Sequence, residues 1–228
     1  MTTHVAVATA ETRLADGWRS TVGRKALVAA SGLVLWAWVI AHLFGNLTLY
    51  CGPEAADGYA AALRRVPAAL WAVRAVLVAA AVVHVAGVVS LARTGRAARP
   101  RHASAAILDA AAVASRAARV GGMLLLLFVA AHVLHLTFGV LHPAFAPGRV
   151  HANVMAGLQR GWIAAVYLAG AALLGLHLFH GLWASVRSLG VRPEAAATRR
   201  RPTVALVAAA IAAGFASIPI AVLAGWLR

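Results

Sequence analysis

The sequence predicts an all-α membrane protein, a polytopic helical bundle with five transmembrane helices, on three observations. Of its 228 residues 62% are hydrophobic and 12% charged, with a mean hydropathy of +0.82, well outside soluble globular usage. Five apolar stretches are each long enough to cross a hydrocarbon layer of about 30 Å, which takes roughly 20 helical residues. The acidic residues Glu11, Asp16, Glu54, Asp57, Asp109 and Glu194 all fall outside those stretches.

Taken in chain order, residues 1–23 form a polar N-terminal arm, in which Asp16 to Ser20 start a short interfacial helix carrying Trp18. The arm lacks an apolar core, so no cleavable signal peptide is expected and the first span is retained. That span is Ala26–Tyr50. Gly52 and Pro53 open the next connection, and Glu54 and Asp57 fit a turn followed by a short surface helix up to Arg65. The single cysteine, Cys51, excludes a disulfide within the chain and an iron–sulfur cluster held by four thiolates of this chain; it reads as a small loop residue. The second span is Val66–Leu91, and an Arg- and Ala-rich connection follows, with a helix over Ser104–Ala118 leading into the third span, Val120–Leu141. Pro143 and Pro147 break the connection to the fourth span, Trp162–Val186, and Pro193 and Pro202 bracket the loop before the fifth, Val204–Leu227. Residues 24–228 thus make one helical domain.

The net charge of +15 raises nucleic acid as a partner, and the distribution of the charge decides against it. Arg13, Arg19, Arg24 and Lys25 lie before the first span. Arg93, Arg96, Arg99, Arg101, Arg116 and Arg119 lie between the second and third, and Arg187, Arg192, Arg199, Arg200 and Arg201 between the fourth and fifth. The opposite connections hold only Arg64, Arg65, Arg149, Arg160 and Arg228, while Arg74 lies inside the second span. By the positive-inside rule the N-terminus and the two Arg-rich connections are cytoplasmic, in the inner (cytoplasmic) cell membrane, and Trp71, Trp162 and Trp226 form an aromatic belt at the outer interface.

Histidine is the unusual component. Of ten histidines, six lie in spans: His42, His84, His132, His135, His177 and His180. Ionisable side chains in hydrocarbon are expensive and face a bundle interior, where they bind something, relay protons or hydrogen-bond a neighbouring helix. Depth sorts them. At 1.5 Å rise per residue, counted from the nearest cytoplasmic Arg or Lys, His84 lies about 13 Å in and His177 about 15 Å in, against about 20 Å for His132 and about 26 Å for His42. Four helices therefore supply two histidine pairs, one above the other, which is what two six-coordinate haems in a helical bundle require. A proton relay would more often mix histidines with carboxylates, and the spans contain none.

Glycine adds a second pattern, since a porphyrin edge needs close approach to the backbone and glycine leaves that room. Gly32 precedes His42 by ten residues and Gly122 precedes His132 by ten, so spans one and three repeat glycine at the inner level and histidine at the outer. Small-residue helix packing explains the same glycines equally well.

The runs SGLVLWAWVIAHLFGN, LLLLFVAAHVLHLTFG and LLGLHLFHGLWASVRSLG resemble the membrane-anchor cytochrome b subunit of succinate dehydrogenase and fumarate reductase, in its single-chain form with five spans and two b haems. The resemblance runs from about Val22 to Trp226. It implies haem iron ligands at His42, His84, His132 and His177, with an inner haem between His84 and His177 and an outer haem between His42 and His132. His135 and His180, each three residues from a ligand, are second choices; the spacing of His177 to Gly190 fits the family pattern. Arg116 and Arg187 are candidates for the haem propionates, because arginine matches carboxylates bidentately, and positive-inside charge accounts for both as well. The resemblance further implies a flavoprotein subunit that oxidises succinate and an iron–sulfur subunit, both docked on the cytoplasmic side as separate chains, with a menaquinone or ubiquinone as electron acceptor. Succinate chemistry belongs to those partners, and a homo-oligomer of such complexes is a further candidate partner.

Two stacked haems make physical sense if electrons must reach the outer half of the membrane, so the quinone is expected near the outer haem, with Trp71 and Arg74 as candidate neighbours. Some family members carry an intramembrane Glu two residues before the fourth-helix ligand; here that position is Gly175. The competing functions are a di-haem cytochrome b subunit of another quinone-linked enzyme, such as a hydrogenase or formate dehydrogenase, and a haem-free transporter or assembly factor whose histidines pack or relay protons.

Overall fold

The computed structural model describes residues 20–97, 110–142, 144–188 and 194–228. Among these, seven α-helices and no strands occur: α1 (Thr21–Leu47), α2 (Pro53–Arg64), α3 (Pro67–Ala97), α4 (Ala110–His132), α5 (Val150–Leu158), α6 (Gly161–Ser188) and α7 (Glu194–Leu223). Five are long and apolar enough to span a membrane: α1 with the 3₁₀ turn Thr48–Cys51, α3, α4 with the π-helical turn Val133–Thr137, α6 and α7. Apolar side chains such as Val78, Val82, Leu127, Leu176 and Leu206 are exposed on these helices, as a lipid-facing surface requires.

Local sequence sets the ends. Ser20 caps α1 by accepting a 2.9 Å hydrogen bond from the Gly23 N–H. Gly52, at φ +92°, turns the chain into α2, whose first residue is Pro53. Arg24 of α1 donates to Ser90 Oγ at 2.8 Å and Thr94 Oγ1 at 3.0 Å on α3, tying the two helices together near their far ends.

Helix α1 packs along α3, and α6 packs along both α4 and α7, with α1 touching α6 and α7 as well. The α6–α7 seam is built on small residues: a Cβ at Gly175 would stand 2.8 Å from the Cβ of Ala212. By contrast, α1 does not pack along α4, nor α3 along α6. One end of the bundle is closed by α2, α5 and the 3₁₀ turn, and here lies the best-buried core: Leu49, Ala56, Val154, Met155, Leu158, Ile163, Ile218 and Val222. Asp57 of α2 accepts the backbone N–H of His151 on α5 at 2.9 Å. Trp71, Trp162 and Trp226, all at this capped end, are 65%, 69% and 78% exposed, in the position of an interfacial belt.

Three expectations change. The third span ends at Thr137 rather than Leu141, because the π turn is followed by Gly139 in the left-handed region at φ +71°, where Phe145 packs beneath it. The loop expected between Pro193 and Pro202 is helical from Glu194, with Pro202 inside α7; the Ala- and Arg-rich run before it favours helix, and Pro202 removes a single backbone donor. The buried helix α5 was not expected, being too short for a span and carrying His151 and Asn153 among its apolar residues. The surface helix after Cys51 is α2, as expected. Of Ser104–Ala118, residues 110–118 are helical and continuous with the third span; the rest, Trp18 with nearly all of its arm, Pro143 and Pro193 lie outside the described residues.

Candidate functional site

The structure brings the four histidines together two by two. His42 of α1 faces His132 of α4 with ring centroids 5.8 Å apart and planes at 77°. His84 of α3 faces His177 of α6 at 6.2 Å and 71°. We refer to these as the cap-proximal and cap-distal pairs. Each joins two helices that do not pack along their lengths, so imidazoles meet where backbones stay apart.

In the distal pair, Nδ1 of His84 lies 3.1 Å from the carbonyl oxygen of Val28. A carbonyl only accepts, so Nδ1 carries the proton and Nε2 keeps its lone pair. Donation from the second ring nitrogen to a carbonyl is the usual outer support of a metal-ligating histidine. Among the described residues no hydrogen bond engages the ring nitrogens of His42 or His177. Both predicted glycines abut the distal pair: a Cβ at Gly32 would lie 3.1 Å from Cε1 of His84, and one at Gly122 would lie 3.3 Å from Cε1 of His177. The two levels are therefore ten residues apart on α1 and again on α4, about 15 Å of helix. The halves α1–α3 and α4–α6 repeat one device, a histidine on the second helix seated against a glycine of the first.

The proximal pair is walled by aromatic rings. Trp38 stacks near His42 at 5.9 Å, Phe215 of α7 lies 5.9 Å from the same ring, and Phe128 stacks near His132 at 6.1 Å. Tyr167 of α6 places its hydroxyl 3.3 Å from Nδ1 of His132 and 2.9 Å from Nδ1 of His135. His135, on the π turn, stacks on His142 with centroids 4.8 Å apart. A cavity of about 80 Å³ lies beside these residues between α4 and α6, lined by Phe128, His132, His135, Trp162, Val166 and Tyr167, among others. Tyr167, Phe128, Phe215 and His142 did not stand out in the sequence. The available signal for Tyr167 was a phenol inside an otherwise apolar span, which needs a partner there.

These residues fit a haem at each level. A ligating imidazole nitrogen sits about 2 Å from its metal and the ring centre about 1 Å beyond, so one iron between two imidazoles sets their centres about 6 Å apart. Two neutral nitrogen donors, apolar walls and, among the described residues, no charged group in contact match a low-spin b-type centre. Among the described residues no group of three or more His, Cys, Asp or Glu gathers as a metal-ion cage; the histidines come as pairs.

The other candidates are dispersed. His180 is exposed, one turn beyond His177. Arg116 is exposed in α4, at the end away from the cap, and Arg187 falls in the last turn of α6, where only the backbone is described. Arg74 lies over the ring of Trp71 at 4.9 Å; both are exposed on α3 at the capped end and neither lines the cavity beside His132. Comparison of the chain with protein-family models, curated proteins and solved structures gives no match.

Proposed function

We propose that the chain is the membrane-anchor cytochrome b subunit of a succinate:quinone oxidoreductase, holding two haems b in line across the membrane. The observation that carries this reading is the two imidazole pairs, at 5.8 Å and 6.2 Å between centroids, on helices that do not pack against each other. His42 and His132 hold the haem nearer the cap, and His84 and His177 the farther one. Bound haem supplies a one-electron centre at each level. The protein's share is orientation and exclusion of water: the Val28 carbonyl fixes the tautomer of His84, Gly32 and Gly122 admit the distal rings, and Trp38, Phe128 and Phe215 wall the proximal pair.

The enzyme class rests on the resemblance of the three histidine-bearing runs to complex II anchors. On this reading the Arg-rich ends, to which Arg116 and Arg187 belong, face the cytoplasm and dock the flavoprotein and iron–sulfur subunits, in the inner membrane of the cell. The quinone, menaquinone or ubiquinone, reacts at the capped end, where the cavity beside His132 and Tyr167 is apolar with a few polar groups, the usual make-up of a small-molecule site. Trp71 and Arg74 stand at the same end on α3.

The test is purification of the chain with its partners, followed by a pyridine haemochrome assay and a reduced-minus-oxidised spectrum. Two haems b per chain, reducible by succinate, are expected. A chain free of haem after purification from haem-replete cells sinks the proposal, and haem reducible by hydrogen or formate but not succinate reassigns the enzyme.

A further inference from the structure

Tyr167 has one hydroxyl proton and two imidazoles to serve. Its oxygen lies 2.9 Å from Nδ1 of His135 and 3.3 Å from Nδ1 of His132. The hydroxyl donates to one of them, and the other must then donate to the hydroxyl oxygen. Hydroxyl donors make shorter hydrogen bonds than N–H donors, which assigns the 2.9 Å contact to Tyr167 donating to His135 and the 3.3 Å contact to His132 donating its own Nδ1–H to Tyr167. That leaves the lone pair of His132 on Nε2, the second nitrogen, as ligation toward His42 requires.

The partner histidine is itself held fast. His135 is 5% exposed, and its Nε2 is one of two buried side-chain polar atoms without a hydrogen-bond partner among the described residues. It stacks at 4.8 Å on His142. The carbonyl of Asn153 accepts from Nε2 of His142 at 2.8 Å, while Nδ1 of His142 accepts from the N–H of Ala144. Asn153 is in turn tied through its side chain to both backbone groups of Ala146 at 2.9 Å. Gly157 gives His135 its place, since a Cβ there would stand 2.7 Å from Cε1 of that ring. A continuous set of contacts thus runs from the cap to the ring that faces His42.

We infer that Tyr167 is the positioning residue of the cap-proximal haem ligand, its hydroxyl shared between His135 and His132 so that Nε2 of His132 is presented to the iron. This rests on the reading above. A hydrogen bond from Nδ1–H to the phenol oxygen makes the imidazole a stronger donor and favours the oxidised iron. In Tyr167→Phe, purified in the complex, both haems are retained, the midpoint potential of the proximal haem rises, its low-spin EPR signal moves, and the distal haem keeps its wild-type values. His135→Leu, which spares the phenol but removes the acceptor that polarises it, moves the same haem in the same direction by less, and it carries the test if Tyr167→Phe does not assemble. The haem is assigned by its loss in His42→Ala and survival in His84→Ala. Two haems with wild-type potentials and EPR signals in both variants, or a shift confined to the distal haem, overturn the inference and leave the proposed function standing. A wild-type complex without haem overturns both.

Discussion

His84 rests against Gly32, its Cε1 3.1 Å from where a Cβ would stand, and the same ring is held through Nδ1 by the Val28 carbonyl one turn earlier on that helix. One helix thus seats and orients a histidine of the next. Gly32→Leu pushes the imidazole off its seat by more than a few tenths of an ångström, so the distal haem is lost and the proximal one kept. Haem content should fall from two to one per chain by pyridine haemochrome; retention of two shows that the glycine is only a packing residue.

Pairing gives a second prediction. Because His84 and His177 face each other across 6.2 Å, His84→Ala and His177→Ala remove the same haem and leave the band of the other in place. His42→Ala and His132→Ala remove the complementary one. The measurement is the low-temperature reduced spectrum of the four variants, and a spectrum of His84→Ala that overlays that of His42→Ala rules out the pairing.

How much of this was legible in the sequence depends on whether a single helix or several decided it. The spans and the depths of His42, His84, His132 and His177 follow from hydropathy and a fixed rise per residue, so both pairs were readable before any packing was known. That Gly32 takes the ring of His84 and Gly122 that of His177 depends on which helices become neighbours, and spacing within α1 or α4 alone carries no such information. The cap was illegible for a different reason. Val150–Leu158 is nine residues long, with neither the length of a span nor the polarity of a loop, and its polar members His151 and Asn153 find partners outside the helix, Asp57 for the backbone N–H of His151 and Ala146 for the Asn153 side chain. Tyr167 was missed because its contacts to His132 and His135 depend on α6 lying beside α4 and on the π turn that carries His135.

The cap supplies a stability prediction. Asn153, 4% exposed, bonds both the N–H and the carbonyl of Ala146 through its side chain. Asn153→Ala leaves two backbone groups without those partners near the buried core, at a cost of about 1–3 kcal/mol for each group left unsatisfied. The melting temperature of the detergent-solubilised complex should drop by several degrees. An unchanged melting curve means that water replaces the amide there.

Gly175 supplies another. It stands two residues before His177 and lies in the α6–α7 seam, where a Cβ would come within 2.8 Å of Ala212. A carboxylate introduced there has no room between α6 and α7, so Gly175→Glu opens the seam and lowers the melting temperature; overpacking of this kind costs about 1–3 kcal/mol or more. All six acidic residues lie outside the spans, so on the proposed function no carboxylate side chain within the spans accompanies an electron across. Turnover with quinone in sealed vesicles should therefore respond to the membrane potential, at about 2.3 kcal/mol per charge per 100 mV. Equal rates with and without an uncoupler mean that some other group carries a compensating proton.

The site of quinone reaction is decided by breaking one pair and sparing the other. A second histidine pair about 15 Å farther along the bundle serves no purpose if the quinone reacts beside the first, whereas a reaction at the capped end needs both. The cavity between α4 and α6 lies at the proximal pair, with His132 in its wall. His42 faces His132 across 5.8 Å from the other side, so His42→Ala dismantles the proximal pair without touching the residues that line the cavity. Two rates are then compared in the assembled complex: succinate-driven reduction of quinone, and succinate-driven reduction of a soluble dye that takes electrons before they enter the membrane. With the quinone at the capped end, the first falls to background while the second is kept. If quinone reduction persists at full rate with the proximal haem gone, the quinone reacts on the Arg-rich side, next to His84 and His177, and the cavity beside Tyr167 has another use.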